Sequence, residues 1–198
     1  VQAAGKIPVD FAALNADLMS LSGHKIYGPK GIGALVRRAE VELAPLHHGG
    51  AQEHGLRGGT ENVAAIAGFG VAAEIALQEL DQRMAHVRDL RDRLEQGLGG
   101  IAGIEIFGAG AERLPNTLQF ALYGYDGEAL LMRLDRKGFG VSSGSACASG
   151  RGEPSHVLLG MGISREIAKG AIRVSLGQDN TTVEIDQFLT ALKSLASP

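Results

Sequence analysis

Apolar and polar positions fall into short runs early in the chain and longer periodic ones further on. Residues 16–19 form a short apolar run that reads as a strand, and residues 32–36 form a second, closed by Arg37-Arg38. Between them lie the polar turn Ser22-Gly23-His24-Lys25 and the segment Gly28-Pro29-Lys30-Gly31, which puts Lys25 in a loop at a strand edge. Residues 40–59 read as loop, with His47, His48 and His54 among paired glycines. Thr60 is the expected N-cap of an Ala-rich helical run over residues 61–80. Across residues 81–98, Met84, Val87, Leu90, Leu94 and Leu98 recur at helical spacing, with Arg and Asp on the opposite face. The two runs are compatible with one long bent helix, although Gly68 and Gly70 argue against an unbroken one.

After Gly99-Gly100 the pattern changes. Residues 104–107 and 117–122 read as strands, and residues 127–137 as a helix with Leu130, Leu131 and Leu134 turned inward. Residues 140–142 read as a short strand, followed by a small-residue loop to Glu153. Pro154 suits the first turn of a short helix reaching residue 159. Residues 172–176 read as a strand. Thr181 with Glu184 forms a capping box for a last helix carrying Ile185, Phe188, Leu189, Leu192 and Leu195. Strands alternating with helices from residue 104 onward predict a small α/β sandwich. The expected domain division is 1–98 and 99–198.

Composition narrows the function. With 44% hydrophobic and 21% charged residues, the 198-residue chain can build a core and is not disordered in the main. Its formal charge of −3 offers no basic excess for nucleic acid or an anionic membrane. Aromatic residues at 5%, with no Trp, disfavour a base-stacking surface. No apolar run approaches the roughly 18 residues of a transmembrane span. The chain opens at Val1 as if in mid-element, as a fragment would, and a cytoplasmic location is expected. The 29 glycines sit in short clusters that read as turns and close backbone approaches. A single Cys cannot form an internal disulfide.

Three residues could carry chemistry. Lys25, in its Gly-containing turn, could be held in a cleft where a desolvated amine forms a Schiff base; the alternative is an exposed turn lysine. Cys147 lies in Val141-Ser142-Ser143-Gly144-Ser145-Ala146-Cys147-Ala148-Ser149-Gly150-Arg151, a polar, Gly-rich setting without apolar packing. It reads either as an accessible nucleophile or as a free surface thiol. Arg173, in an apolar strand, could clamp a carboxylate with its guanidinium fork or face solvent from an edge strand. The histidines lack the spacing of a strong zinc motif.

Together these segments resemble one family. Ser22-Gly23-His24-Lys25-Ile26-Tyr27-Gly28-Pro29-Lys30-Gly31 resembles the cofactor-lysine motif of cysteine desulfurases, pyridoxal-phosphate enzymes of the class-V aminotransferase family that supply sulfur for iron–sulfur clusters. Leu56-Arg57-Gly58-Gly59-Thr60-Glu61-Asn62 resembles their Arg-x-Gly-Thr segment. Ser142 to Ser149 resembles the loop of the group with a long mobile cysteine arm. Ala171-Ile172-Arg173-Val174-Ser175-Leu176-Gly177 resembles the carboxylate-binding strand. The four motifs stand in the family's order and spacing and span nearly the whole chain.

The resemblance implies a fold-type-I pyridoxal-phosphate transferase, of which this chain would be the C-terminal half: the end of the large domain plus a small α/β domain. It implies that Lys25 holds the cofactor and moves the Cα proton. Ser22 and His24 would contact the phosphate, Gln2 the phenolic oxygen, and Thr60 the phosphate of a neighbouring subunit's cofactor in a homodimer. Arg173 would clamp the carboxylate of L-cysteine. Cys147 would take the sulfur as a persulfide and pass it to an iron–sulfur scaffold or other acceptor protein, meeting metal through that sulfur at a nascent cluster. The family's pyridine-binding Asp, its Gly-Thr phosphate loop and its ring-stacking His precede the stretch present here. The rival readings are a selenocysteine lyase or other fold-type-I enzyme, and a half-enzyme that serves only as an interaction domain.

Overall fold

The computed structural model describes residues 1–144 and 153–196, so the segment containing Cys147 lies outside the described residues. The chain divides into two compact units, Val1–Gln82 and Arg83–Pro198. The division falls earlier than the one expected after residue 98. Its cause is the apolar stripe Leu90, Leu94 and Leu98, which belongs to the core of the second unit.

In the first unit, β1 (Leu18–Ser22) and β2 (Gly33–Arg37) pair antiparallel, with Leu18 opposite Arg37 and Ser22 opposite Gly33. Strand β1 starts later than the expected residue 16. Asn15 has a left-handed φ of 50°, and Arg38 donates to the Ala16 carbonyl at 3.0 Å and to Asn15 Oδ1 at 2.7 Å, holding that stretch as a turn. Helix α1 (Val63–Gln78) is capped by Asn62, whose side chain accepts from the Ala65 N–H at 3.2 Å. Thr60, the expected cap, stands outside the helix. The second helical run is a separate helix, α2 (Leu80–Gly99), so the single bent helix is not formed. Ile26, Ala72 and Ala76 form the small core of this unit, with Ala4 and Phe69 against it. Among the described residues, no single helix is long and apolar enough to cross a membrane.

The second unit is built on β3 (Ile104–Ile106), β4 (Thr117–Leu122), β5 (Ser142–Ser143) and β6 (Ala171–Ser175) in the order β3-β4-β6-β5, every neighbouring pair antiparallel. Helices α3 (Gly127–Asp135), α4 (His156–Gly160), α5 (Arg165–Lys169) and α6 (Thr182–Ala196) complete it. Side chains alternate across the sheet. Leu118, Phe120, Ile172 and Val174 share one face and join the cluster of Leu94, Leu130 and Leu192. On the other face, Ala121 and Ala171 pack with Leu158 and Ala168. The capping box of α6 forms as read: Thr181 Oγ1 accepts from the Glu184 N–H at 3.3 Å, and Glu184 Oε2 accepts from the Thr181 N–H at 2.7 Å. That backbone donor, with the Asn180 side chain, holds the Glu184 carboxyl below the usual carboxylate range.

Leu94 is fully buried where α2 meets the sheet. Leu94→Ala should cost about 3 kcal/mol, from lost transfer energy plus the cavity left behind. Urea unfolding followed by the amide signal of the second unit should show the lowered midpoint; an unchanged midpoint would remove Leu94 from the core.

Candidate functional site

The first unit places its chemistry at the end of β1. Ser22 is the last strand residue, and residues Gly23–Ile26 turn immediately into one 3-10 turn. The turn is tight. Gly23 N–H donates to the Ile32 carbonyl at 2.9 Å and Gly28 N–H to the Gly23 carbonyl at 2.9 Å. A Cβ on Gly23 would stand 2.9 Å from Ile32 Cγ2 and 3.0 Å from the Pro29 carbonyl oxygen, so only glycine fits. Ile26 is buried and pins the far end, while Tyr27 leaves it with a left-handed φ of 65°. Fixed between these anchors, His24 is exposed and Lys25 half-buried.

The side chains of this turn form a basic, donor-rich cluster. Ser22 Oγ and His24 Nδ1 lie 2.9 Å apart. The turn carries His24 and Lys25 and no acidic residue in its first turn. Lys6 adds a second amine, its Nζ donating to the Gln2 carbonyl at 3.2 Å and to the Lys25 carbonyl at 3.5 Å. Burial, then the charge of Lys25, pushes the Lys6 amine below its ordinary value. Lys6, for which no role was expected, thus joins the backbone carbonyls of Gln2 and Lys25, in the same turn region as the Ser22–His24 pair. The only hint was a lysine embedded in Gly5-Lys6-Ile7. Hydroxyl, imidazole and amine, with no acidic residue within the turn itself, are donors a phosphate dianion needs, so the residues fit a phosphate-bearing aldehyde cofactor.

The glycine clusters of the long loop meet each other. Gly58 N–H donates to the His47 carbonyl at 3.0 Å, and a Cβ on Gly58 would stand 2.8 Å from Gly49 Cα. Arg57 Nη1 closes on the Gly58 carbonyl at 2.5 Å. This packing presents Thr60 on the exposed surface just before the Asn62 cap.

In the second unit, Arg173 lies on an interior strand, between β4 and β5, which removes the edge-strand reading. Gln119 stands opposite it on one side and Ser142 on the other. Arg173 Nη2 donates to Ser142 Oγ at 3.3 Å. Its Nε is buried and has no hydrogen-bond partner among the described residues. A buried unpaired donor costs about 1–3 kcal/mol, more when charged, unless a ligand satisfies it. The arrangement is a cationic fork of the kind that binds an anion. Cys147 falls outside the described residues.

The sequence pattern of the aminotransferase class-V family matches residues 1–188. The chain belongs to that family. It is 48% identical over 196 residues to a cysteine desulfurase of Gluconacetobacter diazotrophicus, covering 98% of this chain and 49% of that protein. It is 45% identical over 195 residues to the cysteine desulfurase IscS of Methanosarcina thermophila, covering 98% of this chain and 48% of that protein. The fold is similar to that of a NifS-like protein from Rickettsia africae, with a TM-score of 0.90 at 36% identity, covering 98% of this chain and 51% of that one. The chain thus spans about half the length of these relatives. The α/β class expected from the alternating strands and helices is the class of this aminotransferase family member.

Proposed function

We propose that this chain carries the lysine, substrate clamp and sulfur-accepting thiol of a pyridoxal-phosphate-dependent cysteine desulfurase. The reaction is conversion of L-cysteine to L-alanine with sulfur retained as a persulfide on Cys147. The observation that carries the reading is the acid-free basic turn holding Ser22, His24 and Lys25, in a chain whose relatives bear that name.

Pyridoxal phosphate, when bound, supplies the electron sink that weakens bonds at the substrate's Cα and Cβ. The residues do the rest. Ser22 and His24 hold the phosphate, and Gln2 faces the phenolic oxygen. Thr60, on the exposed surface, reaches the phosphate in a second copy of the protein, which makes the enzyme a homodimer. Lys25 Nζ would hold the cofactor at its aldehyde carbon and would move the Cα proton. Arg173 binds the substrate carboxylate. Cys147 receives the sulfur and hands it, in the cytoplasm, to an iron–sulfur scaffold or another acceptor protein.

Arg173→Ala should weaken L-cysteine binding by roughly 2–5 kcal/mol, the scale for truncating one member of a buried charge pair. Cofactor absorbance should survive, because the turn that binds it belongs to the first unit. Steady-state assay of alanine release reads the effect as a raised KM; an unchanged KM places the carboxylate elsewhere.

A further inference from the structure

We infer that Ser142 is a positioning residue: its hydroxyl orients the Arg173 guanidinium for carboxylate recognition. The inference rests on the desulfurase reading for the identity of the carboxylate, but the contact between the two side chains stands on its own geometry.

Strand β5 contains only Ser142 and Ser143, and it pairs with β6 so that Ser142 lies directly opposite Arg173. Directly opposed residues project from the same sheet face. The polar row Gln119, Arg173 and Ser142 therefore crosses β4, β6 and β5 on one face. Further along that face, Ala121 and Ala171 are sealed by Leu158 and Ala168. An arginine side chain has several rotatable bonds, and each one left free must be ordered when ligand arrives. Ser142 Oγ holds Nη2 at 3.3 Å, while Nε stays buried and unpartnered among the described residues. The Ser142 contact fixes the plane of the guanidinium. A fork held this way meets a carboxylate with less ordering to pay for, and it rejects ligands that lack one. The role needs a hydroxyl of small size on a strand. Threonine meets that need, whereas valine has the shape of threonine without the acceptor.

The test compares Ser142→Val with Ser142→Thr. In the protein labelled with 15N, the Arg173 Nε–H resonance, assigned by its disappearance in Arg173→Lys, should be dispersed in the parent protein and in Ser142→Thr. It should merge with the exposed arginine signals in Ser142→Val. In the cofactor-loaded protein, Ser142→Val should weaken L-alanine binding roughly tenfold, the scale of a lost hydrogen bond to a charged group, and leave ethylamine, the same amine without a carboxylate, within about twofold. Ser142→Thr should restore L-alanine binding, and adding Ser142→Val to Arg173→Ala should cost nothing further. A parent-like Nε–H signal in Ser142→Val, or equal weakening of both amines, overturns the inference. If Arg173→Ala itself leaves L-alanine binding unchanged, the substrate reading fails, and the positioning role built on it fails too. If Arg173→Ala weakens L-alanine while Ser142→Val does not, only the positioning role fails.

Discussion

Lys25→Ala is expected to abolish covalent retention of pyridoxal phosphate and to lower L-alanine production by at least roughly 10³–10⁴-fold, since one group is removed from both cofactor anchoring and proton transfer. The fold should survive. The turn around Lys25 is held by backbone bonds from Gly23 and Gly28 and by the buried side chain of Ile26, none of which uses the Lys25 amine. Lys6 bonds the Lys25 backbone carbonyl, which alanine keeps. Two other amines serve as internal controls. Lys30 is exposed beyond the turn, and Lys6 is half-buried, with its amine spent on the carbonyls of Gln2 and Lys25. Borohydride reduction of the cofactor-loaded protein, followed by peptide mapping, should therefore place the pyridoxyl label on Lys25. Label on Lys6 or Lys30, or undiminished alanine production by the Lys25→Ala protein, would overturn the assignment.

Periodicity recovered most of the second unit because its strands and long helices bury one face each. Strand β4 coincides with the expected run over residues 117–122, and the Thr181–Glu184 box marks the start of α6. Helix α5 went unread: its five residues are too few to show a period, and its only signal is the Ser164 cap. The helix start expected at Thr60 moved to Asn62: Gly59, at φ +110°, sits in a bend, and residues 60–62 stay outside the helix. Both residues are good caps, and only the backbone path chooses between them. The setting of Arg173 depended on strand order. The order β4-β6-β5 is not the order along the chain, so no local pattern could say whether the arginine was interior or at an edge. Lys6 was hidden for a similar reason. Its contact with Lys25 spans 19 residues and uses backbone carbonyls, which carry no side-chain signature.

Cys147→Ser is expected to abolish sulfur transfer while leaving cofactor binding and the L-cysteine-induced change in cofactor absorbance intact. Cys147 is the sole cysteine of the chain, so no other residue in it can hold a persulfide. Its neighbours from Ser142 to Gly150 are serine, alanine and glycine, with none of the leucine, isoleucine or valine that surrounds a structural thiol. In the proposed step the Cys147 thiolate attacks the sulfur of bound L-cysteine. A sulfur–sulfur bond forms, the substrate Cβ–S bond breaks, and its electron pair remains on Cβ, which takes up a proton to give alanine. The Cys147 sulfur is oxidised to the level of a persulfide as the carbon is reduced, so no outside oxidant is needed. Arg151, four residues on, is a cation that would favour the thiolate. A serine hydroxyl has the shape but stays protonated at neutral pH, and its oxygen cannot store sulfur at this oxidation level. Mass spectrometry after incubation with L-cysteine should show one added sulfur on the Cys147 peptide of the parent protein and none on the serine variant. The intact spectral change separates loss of the nucleophile from loss of the scaffold. If alanine release and transfer to an acceptor thiol continue in Cys147→Ser, the sulfur leaves by another route, and Cys147 is a bystander.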